Sequence, residues 1–168
     1  MNNRYSPGAR FLHWSSAAVI IWANASGFYV AFLSESLASK QWVAFINVSL
    51  TTLFIPLFLF RCFHSLHYKK PESEDLNRWN QWLASQMHRM LYIITSLVLI
   101  SGVLMMERDI NVFNLFSLPY VIENRDVTGL MNQVHKYSCM LLSLMVLMHV
   151  SAVIKHELTG KRILRRMV

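Results

Sequence analysis

Four stretches of the chain, 11–33, 42–60, 90–106 and 137–154, are apolar almost throughout and contain no Lys, Arg, Asp or Glu. A helix needs about 20 such residues to cross the hydrocarbon core of a bilayer. Apolarity on every face, rather than on one stripe, marks a helix surrounded by lipid or protein. The pattern therefore predicts an all-α integral membrane protein. Short links between the runs make it a four-helix up-and-down bundle, one transmembrane domain over 1–168. No soluble domain, linker or sequence repeat fits in what remains.

Two shorter stretches differ. In 76–86, Leu76, Trp79 and Leu83 share a helical face with Trp82 beside them, which predicts an interfacial helix leading into the third span. The stretch 112–121 is apolar but too short to cross, and is expected to lie against the end of the bundle. Pro56 is expected to kink the second span.

Composition sharpens this picture. Of 168 residues, 54% are hydrophobic and 15% charged, against roughly 45–50% and 25% in a soluble domain. Disorder and a disulfide scaffold are excluded on the same grounds, and Cys62 and Cys139, toward opposite membrane faces, are expected to be free thiols. The first apolar run lacks a small-residue cleavage pattern soon after it, so a retained helix is expected.

Net charge is +7, and its distribution gives an orientation. Arg4, Arg10, Arg61, Lys69, Lys70, Arg78, Arg89, Lys155, Lys161, Arg162, Arg165 and Arg166 fall on one side. Only Lys40, Arg108, Arg125 and Lys136 fall on the other. The acids Glu72, Glu74, Asp75 and Glu157 accompany the first group, and Glu35, Glu107, Asp109, Glu123 and Asp126 the second. Basic residues stay inside, which predicts a multi-pass membrane protein with both termini cytoplasmic. The basic tail suits anionic lipid headgroups. Nucleic acid is not an expected partner, since no module is present to bind it.

Seven histidines are the candidate chemistry. His13, His135 and His149 lie in or at the ends of the spans, and His88 lies at the inner mouth of the third. Ionisable groups in spanning helices are rare and usually face the interior. His135 and His149 are fourteen positions apart. Fourteen steps fall about 40° short of four turns, so both share a face, separated by a rise of about 21 Å. His13 and His149 both belong to the inner half, on opposite helices. Neutral imidazole is an axial ligand for haem iron, and a pair of them leaves no open position, which favours electron transfer. Against this stands the bland reading of a lone His as a hydrogen-bonded packing residue. His64, His67 and His156 read as solvated or headgroup-level residues, with only a weak metal pattern at His156 and Glu157.

Tyr5-Ser6 followed by His13-Trp14, INVS at 46–49, Arg61 ending the second span, and His88 before Leu91-Tyr92 occur in that order. GVLMM at 102–106, FSLPY at 116–120, His135, His149 and the tail HELTGKRILRRM follow. Together they resemble the bacterial cytochrome b561 family over nearly the whole chain. That family includes superoxide:quinone oxidoreductases and is similar to the cytochrome b subunits of hydrogenases and formate dehydrogenases. The resemblance implies haem b as cofactor, with His13 and His149 holding the iron of an inner haem and His135 serving an outer one. Where the family has the outer haem's second-helix ligand, this chain has Asn47. Thr51 and Thr52 stand where a small residue would admit the porphyrin. Three readings are open: one inner haem with His135 bonded within the bundle, to a neighbour such as Asn47; an outer haem on His135 alone; or no haem.

Arg61 is a candidate partner for a haem propionate, against the plain reading of a positive-inside anchor. His88 with Arg89 is a candidate frame for a quinone headgroup or propionate. Lys136 is a candidate attractor of an anionic substrate. The expected function is b-type cytochrome electron transfer with the quinone pool, possessed by a quinone-linked oxidoreductase such as a superoxide:quinone one. The alternative is a non-catalytic membrane anchor of a redox complex, with a protein redox partner. A transporter is disfavoured, because no inverted repeat is present.

Overall fold

A computed structural model describes residues 5–33, 36–68, 77–161 and 163–166. Four long helices dominate it: α1 (Pro7–Phe28, continued by one π-helical turn, Tyr29–Leu33), α2 (Leu37–His67), α3 (Arg78–Leu104) and α4 (Arg125–Leu158). All four are long and apolar enough to cross a membrane. A two-stranded antiparallel hairpin, β1 (Ile110–Val112) and β2 (Phe116–Leu118), joins α3 to α4.

Each helix starts before its apolar run because a polar side chain caps it. The side-chain oxygens of Ser6, Ser36, Asn77 and Asn124 accept from the amides of Ala9, Ser39, Asn80 and Asp126. These bonds satisfy amides that the first helical turn leaves without partners. The Asn77 cap also corrects one expectation. Residues 78–86 are the first turns of α3, continuous with the third span, rather than a separate interfacial helix; Leu76 lies outside the described residues. Trp79 and Trp82 stack at 5.1 Å there and are exposed, as suits a membrane interface. Helix α2 runs unbroken through Pro56. Of the charges used for orientation, Arg4, Lys69, Lys70, Arg162, Glu35, Glu72, Glu74 and Asp75 lie outside the described residues.

The hairpin occupies the stretch expected to lie on the end of the bundle. Phe113 and Asn114 have φ of 49° and 58°, and the Leu115 amide donates to the Val112 carbonyl at 2.9 Å. Two consecutive left-handed residues define the tight turn whose twist matches a hairpin. Ser49, fully buried in α2, clamps it. The Phe113 amide donates to Ser49 Oγ (3.1 Å), and that hydroxyl donates to the Asn111 carbonyl (3.2 Å). Ile110 and Val112 are buried beneath.

The interior contains small hydroxyl residues and the exterior large apolar ones. Ser16, Ser26, Ser49, Thr95, Ser101, Thr128 and Ser138 are buried, whereas Phe32, Leu66 and Leu147 are exposed. Lipid is as apolar as leucine, so close approach of backbones, not apolar burial, holds such helices together. Many hydroxyls bond back to their own helix: Ser16 to the Leu12 carbonyl (2.6 Å), Thr51 to that of Asn47 (2.7 Å), Thr52 to that of Val48 (2.8 Å) and Ser101 to that of Leu97 (2.6 Å). Helix α1 packs closely on α2, and α3 on α4, while α2 meets α3 sparsely. A seam is left between the two pairs, closed mid-way by Ile94, Leu142 and Met145 with Ile20 and Leu91.

Candidate functional site

Two polar regions lie along this seam. The first is at the end where α1 and α3 begin and α2 and α4 finish, called here the terminal end. His13 on α1, Arg61 on α2, His88 and Tyr92 on α3 and His149 on α4 meet there. Arg61 Nη2 lies 3.2 Å from His13 Nδ1, and Arg61 Nε donates to the Tyr92 hydroxyl at 3.2 Å. The Arg61 guanidinium carbon also sits 5.3 Å from the centre of the Tyr92 ring. His88 meets His149 edge to face, with ring centres 5.1 Å apart. The Nδ1–H of His88 donates to the Ala84 carbonyl at 2.7 Å, which fixes that ring. His13 is within electrostatic range of His149, His88 and Arg61.

Arg10 stands one helical turn before His13 on α1. Its Nε is buried and has no hydrogen-bond partner among the described residues. A buried guanidinium nitrogen lacking an acceptor is costly.

The second region lies in the half nearer the hairpin. A partly open cavity of about 600 Å³ is lined by residues of all four helices there. His135 on α4 lines it. The His135 Nδ1–H donates to the Val98 carbonyl at 3.0 Å, with Ser101 Oγ at 3.4 Å. That bond leaves Nε2 as the nitrogen with a lone pair, 3.5 Å from Cys139 Sγ. Gly102 provides the room: a Cβ there would meet His135 Cε1 at 3.1 Å. Across the cavity Asn47 accepts a hydrogen bond from Ser26 Oγ at 3.2 Å, and Asn24 accepts one from Ser143 Oγ at 2.6 Å. The pairing of His135 with Asn47 entertained from the sequence is thus replaced. His135 packs against α3, and Asn47 faces it from α2. Thr51 and Thr52 line the cavity without closing it.

The structure brings together four of the five sequence-derived site residues, His13, His149, Arg61 and His88, and sets His135 apart in the other half. Tyr92 and Arg10 escaped the sequence reading as site residues. Their helical spacing, Tyr92 four after His88 and Arg10 three before His13, was the available signal. Arg89 is exposed; so is Lys136, which also lines the cavity. His64 stacks on Tyr68, and His67 on Phe63. Both cysteines are free. No cluster of three His, Cys, Asp or Glu able to hold a bare metal ion occurs among the described residues.

The chemistry of these donors fits an iron porphyrin. Such a group asks for imidazole nitrogens on its axis, cations for its two carboxylates and apolar flat room. The terminal end has imidazoles on facing helices beside Arg61 and the unpartnered Arg10 Nε. The other half has an imidazole with its Nδ1 tied to a carbonyl, the bond that fixes a ligating histidine's tautomer, beside a cavity.

Comparison with curated proteins gives no match. The family model for prokaryotic cytochrome b561 matches residues 4–168. The chain belongs to the prokaryotic cytochrome b561 family, and is a membrane electron-transfer protein whose cofactor is haem b.

Proposed function

We propose that this protein exchanges electrons with the quinone pool of the bacterial inner membrane, through a haem b ligated by His13 and His149. The observation that carries the reading is the convergence of these two imidazoles, from the first and last helices, beside two arginines at one end of the seam. Haem b, when bound, supplies one-electron oxidation and reduction. His13 and His149 would hold it between them, an arrangement that suits electron transfer rather than binding of a substrate at the iron.

Each neighbour has a part. His13 ligates through Nε2, which requires its Nδ1 to take the proton and Arg61 to leave it. The freed guanidinium would be available to a haem carboxylate, with Tyr92 steadying its Nε. The Arg10 Nε finds its acceptor in the same carboxylate layer. His88 braces the His149 ring and lies where a quinone headgroup reaches the haem edge. The basic residues of the terminal end support a cytoplasmic location for it.

The test is haem per polypeptide by pyridine haemochrome, followed by redox titration with a quinol. His149→Ala is expected to abolish the low-spin signal of this haem. An unchanged reduced spectrum in that variant would overturn the ligand assignment. Failure of quinol to reduce the haem, together with a fixed co-purifying protein, would turn the reading to an anchor subunit.

A further inference from the structure

The hairpin sits deeper than a surface loop. Arg61 and Tyr92 touch, which gives α2 and α3 one shared level. Ser49 lies twelve residues before Arg61, and Leu104, where α3 ends, twelve after Tyr92. A helix rises about 18 Å over twelve residues. Ser49 and the end of α3 are therefore level with each other. Both fall about 12 Å short of the far edge of a hydrocarbon core about 30 Å thick that begins at Arg61. Trp42 marks that edge independently. It is exposed, as suits an aromatic residue at a membrane interface, and stands seven residues, about 10 Å, beyond Ser49.

Helix α4 shows that the chain rises from α3 before it turns back. Thr128, seven residues before His135, donates to the Glu107 carboxylate at 3.0 Å. Glu107 thus stands about 10 Å beyond the level of His135. The backbone then returns to meet Ser49 at Asn111 and Phe113. It climbs again to Tyr120, whose amide donates to Asp109 at the mouth of the hairpin.

The turn is built for a place with little water. The Phe113 amide donates to Ser49, that of Asn114 to Asn111 Oδ1 at 2.8 Å, and that of Leu115 to the Val112 carbonyl. The Asn111 side-chain amide donates to Asn114 Oδ1 at 2.9 Å. All three amides of the turn thus have partners within the protein, as backbone at membrane depth requires. Its outward side chains are apolar: Leu115 is 78% exposed, and Phe116 and Leu118, on one face of β2, are exposed with it.

We propose that the hairpin is a re-entrant element, which dips into the leaflet of its own half and presents Leu115, Phe116 and Leu118 to lipid acyl chains. The lipid-facing surface of the spans continues onto it, and it fills the space that α3 leaves by ending early. Buried Ile110 lines the cavity, so the hairpin is a wall between that cavity and the bilayer.

Nitroxide labels measure the depth. The full chain, with Cys62 and Cys139 replaced by alanine, is given single cysteines at position 115, 116, 121 or 147 and reconstituted in phosphatidylethanolamine and phosphatidylglycerol vesicles. Leu115, Phe116, Val121 and Leu147 are all exposed, so labels there leave the packing in place. Oxygen, which concentrates in hydrocarbon, and a water-soluble nickel chelate are the colliding probes. The oxygen-to-nickel collision ratio at 115 and 116 is expected to match that at 147 on α4. It is expected to exceed that at 121, near the mouth, about tenfold, the factor given by about 1.4 kcal/mol of partitioning.

Equal ratios at 115, 116 and 121 would overturn the proposal. So would shielding of 115 and 116 from both probes, which marks a protein partner or a second copy where lipid is expected. The haem ligation proposed above stands or falls separately.

Discussion

Arg61 holds His13 by its Nδ1, at 3.2 Å. A guanidinium has no lone pair to offer, so in this contact His13 accepts and its proton sits on Nε2. Arg61 is thus a lock on the ring, one that would have to open for Nε2 to serve the iron ligation proposed above, and Tyr92 holds the other side of the same guanidinium.

The first prediction follows from the charge of that lock. A cation beside a haem favours the reduced state, whose net charge is one unit lower. Arg61→Gln is expected to lower the midpoint potential of the haem proposed to sit on His13 and His149 by on the order of 50 mV, the scale of one charge acting at an effective dielectric near 20. Tyr92→Phe is expected to move it less. A redox titration followed optically measures both.

A second prediction concerns the space beside His135. A Cβ on residue 102 would approach the ring at 3.1 Å and 3.3 Å. Gly102→Ala requires the imidazole to give by a few tenths of an ångström, and Gly102→Val requires it to leave. The bond to the Val98 carbonyl is then stretched or lost. Gly102→Val is expected to loosen the packing of α4 on α3, read as a lower thermal unfolding midpoint of the protein in detergent.

The clamp on the hairpin gives a third. Ser49→Ala deletes the acceptor for the Phe113 amide and the donor to the Asn111 carbonyl. Leaving such groups unpaired costs about 1–3 kcal/mol, and the left-handed Phe113 loses a constraint that keeps it in place. Faster proteolysis between 110 and 118 is the expected outcome. Cleavage at the native rate would show that the T-shaped contact of Phe113 with Phe45 suffices.

Orientation is tested by reporters. An alkaline phosphatase fusion after residue 115 is expected to be active, and one at the C-terminus inactive. The reverse would place the basic end outside.

The spans were legible because lipid demands unbroken apolar runs. Their ends were not, since hydropathy finds the lipid-facing middle whereas Ser6, Ser36, Asn77 and Asn124 decide where helix begins. The hairpin was hidden because its turn uses Phe113 and Asn114 in place of glycine. At the site, the fourteen-residue spacing correctly separated His135 from His149. Partners reached across helices were less visible. That Arg61 meets Tyr92, or His135 the Val98 carbonyl, depends on how α2, α3 and α4 are rotated, which no local pattern specifies.

The hydroxyls that turn back to their own helices have a last consequence. A serine or threonine so engaged has spent its one proton: it can only accept from a guest, and its bulk is close to that of alanine or valine. Ser16, Thr51, Thr52 and Ser101 therefore set clearances inside the membrane without choosing what fills them. Selection of the occupant is left to a handful of imidazoles, amides and guanidinium groups, and changing one of those is enough to alter what the protein can carry.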